Sequence, residues 1–141
     1  PVFFLSETSN NFVWISERDG FNNLYYFDIE GKLLKQLTAN KFVTKNILSS
    51  INKGTEIVFE ATGESPLNSM YYAVTLEGKQ RLLTTEQGTH SIVISSDGKM
   101  MFDEYSNHIT PSKSLLTSTN GKKSIILLES KNKRILVKTK A

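Results

Sequence analysis

The sequence predicts an all-β fold, a partial β-propeller of about three four-stranded antiparallel blades. Three features of the 141-residue chain predict this fold. A block of about 45 residues recurs in three degenerate copies, and this period is typical of propeller blades. Each copy holds four short runs rich in Val, Ile, Phe and Tyr, which favour a pleated, half-buried surface. Gly and Asn stand at the corners between the runs, where tight hairpins need a positive φ.

The repeat consists of short motifs that keep the same order along the chain. The first two copies are displaced by 46 or 47 residues, and the third copy is fainter. A β-sandwich, the rival all-β fold, would not explain such a repeat. The motifs are Asn-Leu-Tyr-Tyr-Phe, Glu-Gly-Lys and Leu-Thr at 23–27, 30–32 and 37–38; Ser-Met-Tyr-Tyr-Ala, Glu-Gly-Lys and Leu-Thr at 69–73, 77–79 and 83–84; and Ser-Leu-Leu-Thr-Ser, Asn-Gly-Lys and Ile-Leu at 114–118, 120–122 and 126–127.

Each blade is expected to contain four strands, because a blade buries its faces against its neighbours and cannot do so alone. The predicted propeller spans 1–129, with blades at about 1–40, 41–86 and 87–129. The predicted strands are 1–5, 12–16, 23–27 and 32–38 in the first blade; 45–50, 56–61, 69–75 and 79–84 in the second; and 91–95, 99–104, 113–118 and 124–129 in the third.

The charge distribution argues against a nucleic-acid partner, although the net charge is +3. Residues 1–121 carry 10 Lys+Arg against 13 Asp+Glu, whereas residues 122–141 carry 7 against 1. The basicity therefore belongs to the C-terminal end and not to a groove or a reading helix. We predict a solvated basic tail at 130–141, the one segment whose pattern is also compatible with a helix.

Composition excludes two further kinds of site. Cysteine is absent, so disulfides and thiolate metal sites cannot form. The longest purely apolar runs, 12–15 and 125–128, are four residues long, too short for a helix that spans a membrane. The chain begins with proline, from which we expect a piece of a longer protein.

The motifs are similar to those of a known family. Trp-Ile-Ser-Glu-Arg-Asp-Gly at 14–20, Ser-Pro-Leu at 65–67 and Gly-Thr-His-Ser at 88–91 resemble the late blades of the N-terminal propeller of dipeptidyl peptidase IV-like serine peptidases, in the prolyl oligopeptidase superfamily. Ile-Ser-Ser-Asp-Gly at 94–98 and Tyr-Ser-Asn at 105–107 extend the resemblance. It covers nearly the whole chain, from residue 1 to about 128.

The resemblance implies a function for the parent protein. Members of the family remove Xaa-Pro or Xaa-Ala dipeptides from free N-termini with a Ser-Asp-His triad on a hydrolase domain, and the propeller walls the substrate chamber and controls access to it. The family's amine-binding acidic pair would lie upstream of Pro1. We therefore expect a non-catalytic propeller piece, with 130–141 as the start of a linker toward the hydrolase domain, from an exported parent, periplasmic or at the cell surface. The alternative is a stand-alone propeller-type module that binds or scaffolds other proteins.

No catalytic, metal or cofactor residue is predicted in this chain. The family's nucleophile elbow, Gly-x-Ser-x-Gly, does not occur. The two histidines are His90 and His108, and Ser91 beside His90 should point to the opposite face of its strand. Two histidines without thiols also make a poor metal site. We interpret each histidine as a turn or packing residue.

Two groups of charged residues are candidates for chemistry. Asp103 and Glu104 are adjacent carboxylates, but strand alternation should direct them to opposite faces. Glu17, Arg18 and Asp19 lie on a hairpin corner, where exposed opposite charges contribute under about 1 kcal/mol to stability. We interpret both groups as structural.

Aromatic residues alternate along the predicted strands, among them Tyr25, Phe27 and Tyr71. They could form a platform for a carbohydrate or a nucleic acid. Packing between blades accounts for them more simply.

A three-blade piece cannot close into a ring, so we expect it to associate with itself. The outer faces of the first and third blades would remain apolar, and large exposed apolar patches promote association. The edge strand 124–129 would offer unpaired backbone groups to another chain. The residues expected on the outer face of the third blade are Ile92, Ile94, Met101 and Leu115.

Overall fold

The protein folds into three antiparallel sheets that follow one another along the chain. The structure, a computed structural model, describes the backbone of residues 2–4, 11–18, 20–84, 88–107, 112–122, 124–129 and 132–140, and side chains within 11–18, 20–84, 88–107 and 112–122. These residues form strands and turns without any helix. The prediction of a partial all-β propeller is confirmed.

Each sheet is a meander in which consecutive strands pair. The first blade has β1 (Val2–Phe4), β2 (Phe12–Ser16), β3 (Asn23–Phe27) and β4 (Leu33–Gln36); the second has β5 (Thr44–Ile51), β6 (Glu56–Ala61), β7 (Met70–Thr75) and β8 (Gln80–Leu82); and the third has β9 (Thr89–Ile94), β10 (Met100–Ser106), β11 (Lys113–Ser118), β12 (Ser124–Glu129) and β13 (Asn132–Lys140).

The fifth strand of the third blade differs from the prediction for the end of the chain. The segment 130–141 was expected to be a basic tail, with a helix as one option. Instead β13 pairs antiparallel with β12 over most of its length. Its sequence contains Ile, Val and Thr among its charged residues, and these β-branched residues suit a strand. The edge of this sheet is therefore β13 and not β12.

Two apolar clusters hold the three blades together. One cluster joins Val13, Ile15 and Leu24 of the first blade to Ile57 and Phe59 of the second. The other cluster joins the second blade to the third, through Val58, Tyr71 and Ala73 on one side and Ile92 and Met101 on the other. Full burial of each such side chain contributes roughly 1.5–3 kcal/mol to stability.

Strand β6 of the middle blade packs against both neighbouring blades. Ile57 and Phe59 face the first blade, whereas Val58 between them faces the third. Successive side chains of a strand point to opposite faces, so β6 is apolar on both. This accounts for its nearly continuous burial from Glu56 to Ala61.

In the first two blades the Leu-Thr motif satisfies a backbone N–H group at the start of the third strand. The buried Thr38 hydroxyl accepts from Leu24 N–H at 2.9 Å and donates to Asn23 Oδ1 at 2.7 Å. In the second blade the buried Thr84 hydroxyl accepts from Tyr71 N–H at 3.4 Å. A buried backbone amide without a partner would be costly, which accounts for the threonine in both of these copies.

The Gly-Lys motifs form the short turns. In the turn between β3 and β4, Asp28 Oδ1 accepts from the N–H groups of Glu30 and Lys32 at 3.0 Å. Gly31 occupies φ +85°, which L side chains rarely adopt. The turn between β11 and β12 uses a different acceptor, Asn120, whose Oδ1 accepts from Lys122 N–H at 3.0 Å.

The residues expected on the outer face of the third blade lie elsewhere, so that prediction was wrong. Ile92 and Met101 are buried against the second blade, Ile94 packs beside them, and Leu115 is also buried. The outer face carries Val93 instead, which is 67% exposed. Alternation shows that Ile92 and Ile94 share a face, but it does not show which neighbour that face meets.

Gly88 is predicted to be the glycine most sensitive to substitution. A Cβ there would lie 2.6 Å from the carbonyl oxygen of Ser106, and its φ is +152°. We expect Gly88→Ala to lower the free energy of unfolding by about 3 kcal/mol, because backbone cannot move aside cheaply. Urea unfolding followed by fluorescence of the single tryptophan, Trp14, measures the loss.

Gly121→Ala is the matched control. Its φ of +77° is also positive, but nothing lies within 4 Å of the added Cβ. Only the backbone strain remains, so the expected loss is about 1 kcal/mol. Equal losses in the two variants would contradict the contact between Gly88 and Ser106.

Candidate functional site

The candidate site is a histidine–aspartate pair that is buried between the second and third blades. His90 Nδ1 lies 2.9 Å from both carboxylate oxygens of Asp103, and the two side chains are 0% and 1% exposed. The imidazole stacks on Tyr105, with ring centroids 4.7 Å apart. His90 and Tyr105 are directly opposite in the register of β9 and β10, and Asp103 follows two residues away on the same face.

Two polar residues of the second blade extend this pair. The Ser69 hydroxyl donates to the Glu60 carboxylate. Ser69 also bridges the blades through its backbone, donating to the Gly88 carbonyl at 3.0 Å and accepting from His90 N–H at 2.9 Å. We call Glu60, Ser69, Tyr71, His90 and Asp103 the interblade polar cluster.

Tyr71 connects the polar cluster to the apolar cluster beside it. It is opposite Glu60 in the register of β6 and β7 and packs with Ile92 and Met101. Burial raises the pKa of its phenol, the negative charges of Glu60 and Asp103 raise it further, and a backbone hydrogen bond with Ile92 opposes them. Tyr71 therefore stays neutral in this environment.

The cluster resembles two members of a catalytic triad but lacks the geometry for nucleophilic attack. An aspartate that orients a histidine through Nδ1 supplies two of the three members of such a triad. Ser91, next in sequence, lies on the exposed face of β9. The Ser69 hydroxyl donates to Glu60 and not to His90. The arrangement supports a structural role, in which the pair fixes the third blade against the second.

The two adjacent carboxylates lie on opposite faces of β10, as alternation requires. Asp103 is buried against His90, whereas Glu104 is exposed. Sequence reasoning did not find the contact between Asp103 and His90. The sequence does contain the turn 95–99, and a hairpin centred on this turn places His90 and Asp103 close together on neighbouring strands.

The charged corner after β2 packs on aromatic rings. The Arg18 guanidinium lies 4.6 Å from the ring centroid of Tyr25 and 5.5 Å from that of Phe27. Glu17 is exposed, and Asp19 lies outside the described residues. This is a cation–π contact, which supports a structural role for Arg18.

Tyr25 and Phe27 occupy the face of the first blade that points away from the second. They share it with Trp14 and Phe12, which stacks on Phe27 at a centroid distance of 5.3 Å. Tyr71, by contrast, packs between blades. The other predicted candidate, His108, lies outside the described residues.

The described residues contain neither a metal-binding cluster nor a membrane-spanning helix. No group of three or more His, Cys, Asp or Glu side chains there could hold a metal ion. That part of the chain also has no helix long and apolar enough to cross a membrane.

Comparison with known proteins identifies the family. Residues 1–112 match the model of the dipeptidyl peptidase IV (DPP IV) N-terminal region. The chain is 31% identical over 122 residues to a protein of Arthroderma gypseum named "Probable dipeptidyl-aminopeptidase B". That alignment covers 83% of this chain but 13% of the relative, so the chain spans a small part of the relative's length.

Two solved structures share the fold, and one of them supports the same family. A crystal structure assigned to a dipeptidyl aminopeptidase IV of Bacteroides ovatus superposes with a TM-score of 0.76 and 27% identity, covering 92% of this chain and 21% of the other. Porphyromonas gingivalis dipeptidyl peptidase 4 superposes at 0.74 with 22% identity over 85% of this chain and 17% of the other. At that identity the second structure supports the fold.

His90→Ala is predicted to be strongly destabilising. The substitution leaves the Asp103 carboxylate buried without its imidazole partner. Breaking a buried pair in this way costs about 3–5 kcal/mol, and we expect a loss in that range. Chemical unfolding of the variant and of the unaltered chain in parallel measures this loss of stability.

Ser91→Ala is the control, because this neighbour of His90 is exposed, and its effect should stay within about 0.5 kcal/mol. A loss below about 1 kcal/mol for His90→Ala would show that the pair does not join the blades.

Proposed function

We propose, because the chain belongs to the dipeptidyl peptidase IV N-terminal region family, that it is the late part of the non-catalytic β-propeller of a serine exopeptidase. The match over 1–112 carries the proposal. The parent would remove N-terminal Xaa-Pro or Xaa-Ala dipeptides with a triad on a hydrolase domain of the same chain. The propeller would form a wall of the substrate chamber and control access to it, and the parent would be exported.

The packing of the blades supports the role of a wall. Apolar clusters and the interblade polar cluster fix the second blade to both neighbours. A buried pair with specific geometry permits fewer alternative arrangements than an apolar contact alone, so it favours one orientation of the third blade. The described residues thus form a stiff surface suited to enclosing a chamber.

The chemistry of this segment supports a non-catalytic role. The imidazole of His90 is committed to Asp103 and buried, where a substrate cannot reach it. Catalysis would then come from another part of the parent. The alternative is a stand-alone binding or scaffold module. The gene of such a module would encode further blades or stop, and it would encode no Gly-x-Ser-x-Gly elbow, which distinguishes it from the gene of a peptidase.

The chain alone is predicted not to hydrolyse Gly-Pro p-nitroanilide or Ala-Pro p-nitroanilide. The longer protein that carries it should cleave both, and should not cleave the same substrates when their N-terminus is acetylated. Release of p-nitroaniline measures each reaction. Turnover by the chain alone that survives repurification and disappears in Ser91→Ala would overturn the non-catalytic assignment. An inactive parent without the serine elbow would favour the scaffold module.

We also propose that the isolated chain associates with itself through the outer faces of its first and third blades. Trp14 is 46% exposed on one face and Val93 is 67% exposed on the other. Light scattering at micromolar concentration should give a mass of twice the 15.9 kDa monomer or more.

Substitutions test which surface mediates this association. Trp14→Ser and Val93→Ser should each shift the chain toward the monomer. Leu67→Ser is the control, because Leu67 is 87% exposed on a loop and not on a blade face. A monodisperse monomer for the unaltered chain, or an equal shift with Leu67→Ser, would contradict association through the blade faces.

A further inference from the structure

A cleft of ≈ 450 Å³ opens between the second and third blades, beside three of the short turns. Its volume lies in the range of small-molecule and peptide-residue sites. Three of its lining residues are cationic and none is acidic. The residues that matter for its chemistry are Asn52, Arg81, Lys99, Ser118, Asn120 and Lys122.

The positive charge of the cleft arises from a departure in the repeat. In the turns at 28–32 and 75–79, Glu30 and Glu77 stand two residues before the lysine and balance it. At the corresponding position of the third copy, Asn120 replaces the glutamate before Lys122. The turn after β5, Asn52 and Lys53, also lacks an acid. Both turns contribute to the cleft. Arg81 is paired with Glu56 and Lys99 follows Asp97, whereas Lys122 lines the cleft without an acid in its own turn.

Two carboxylates lie near the cleft, and both are engaged. Glu56 accepts from Arg81 Nε at 3.0 Å and Nη2 at 3.3 Å, and Asn52 also donates to it. Asp97 accepts from the Ser95 hydroxyl at 2.6 Å and from Lys99 N–H at 3.0 Å. Each carboxylate therefore has hydrogen-bond partners, and neither of them lines the cleft.

Arg81 is held rigidly at the boundary between the blades. Besides its two bonds to Glu56, Nη1 donates to the Thr119 carbonyl of the third blade. Three of the five guanidinium N–H groups are thus used, and one on each terminal nitrogen remains. A guanidinium that is already ordered loses little entropy when it binds an anion.

Asn120 adds a directed donor. Its Oδ1 accepts from the Ser118 hydroxyl at 2.7 Å and from Lys122 N–H at 3.0 Å. Asn120 lines the cleft, and its amide N–H₂ group is a further donor. The cleft therefore offers donors from Arg81, Asn120 and two lysines, a set that matches an anion.

We propose that this cleft binds the carboxylate side chain of an acidic peptide segment. Arginine donors suit a planar carboxylate, and the volume accommodates the residue that carries it. A free inorganic anion would share the charge but fill only part of the cleft. The proposal goes beyond the proposed function, since it does not depend on catalysis by the parent.

The test is a titration of the ¹⁵N-labelled chain with the peptide acetyl-Gly-Glu-Glu-Gly-amide. The backbone amides of Lys99, Thr119 and Lys122 should shift and saturate. The isosteric acetyl-Gly-Gln-Gln-Gly-amide should bind at least about fivefold more weakly, because its side chains carry no charge. Raising the salt concentration to about 1 M should weaken the binding of the acidic peptide, because salt screens exposed charges.

Matched lysine variants locate the site. Lys99→Gln and Lys122→Gln should each lower the affinity for the acidic peptide about threefold to fivefold. Lys79→Gln should have no effect, because Lys79 occupies the equivalent turn of the second blade and does not line the cleft. Unchanged amide spectra away from the substituted turn show that each variant is folded.

Three results would overturn the proposal. They are equal binding of the glutamine peptide, equal weakening by Lys79→Gln, and saturation of the same amides by inorganic phosphate but not by the acidic peptide. The last result would identify a site for small inorganic anions instead.

Discussion

A blade of four strands has two apolar faces and cannot cover either of them by itself. This constraint governs the whole structure. The second blade covers both of its faces with neighbouring blades. On one face of β6, Ile57 and Phe59 pack against the first blade, and on the other face Val58 packs against the third. The first and third blades each satisfy one face in this way, and their other faces expose Trp14 and Val93. Stability is therefore a sum of contacts between neighbouring blades, as in other repeat proteins.

The contact between the second and third blades is chemically different from that between the first and second. It contains buried ionisable groups, His90 and Asp103, in addition to apolar side chains. Burying such groups is costly unless they are paired, and a pair requires one defined geometry. The same boundary carries Arg81, which reaches from the second blade to the Thr119 carbonyl of the third. Polar contacts at two separate places thus fix the orientation of these blades.

Much of the fold was predictable because its signals are local. The Gly-Lys turns need an acceptor such as Asp28 and a glycine at positive φ, and both are visible in the sequence. The candidate site was less predictable. Asp103 and Glu104 could be assigned to opposite faces, but the partner of Asp103 depends on the register of a hairpin. The pairing of β13 with β12 was missed because the many charges of that segment suggested a solvated tail.

The sequence by itself determined the period of the repeat, the positions of most strands and the family to which the chain belongs. Only the tertiary structure decided which face of each strand meets which neighbour. Alternation places Ile92 and Ile94 on one face, but both faces of a propeller blade can be apolar, so the pattern does not orient them. Likewise, the buried pair and the cationic cleft combine side chains from separate turns and strands. Their chemistry depends on distances that packing between blades sets, and no single segment of the sequence contains those distances.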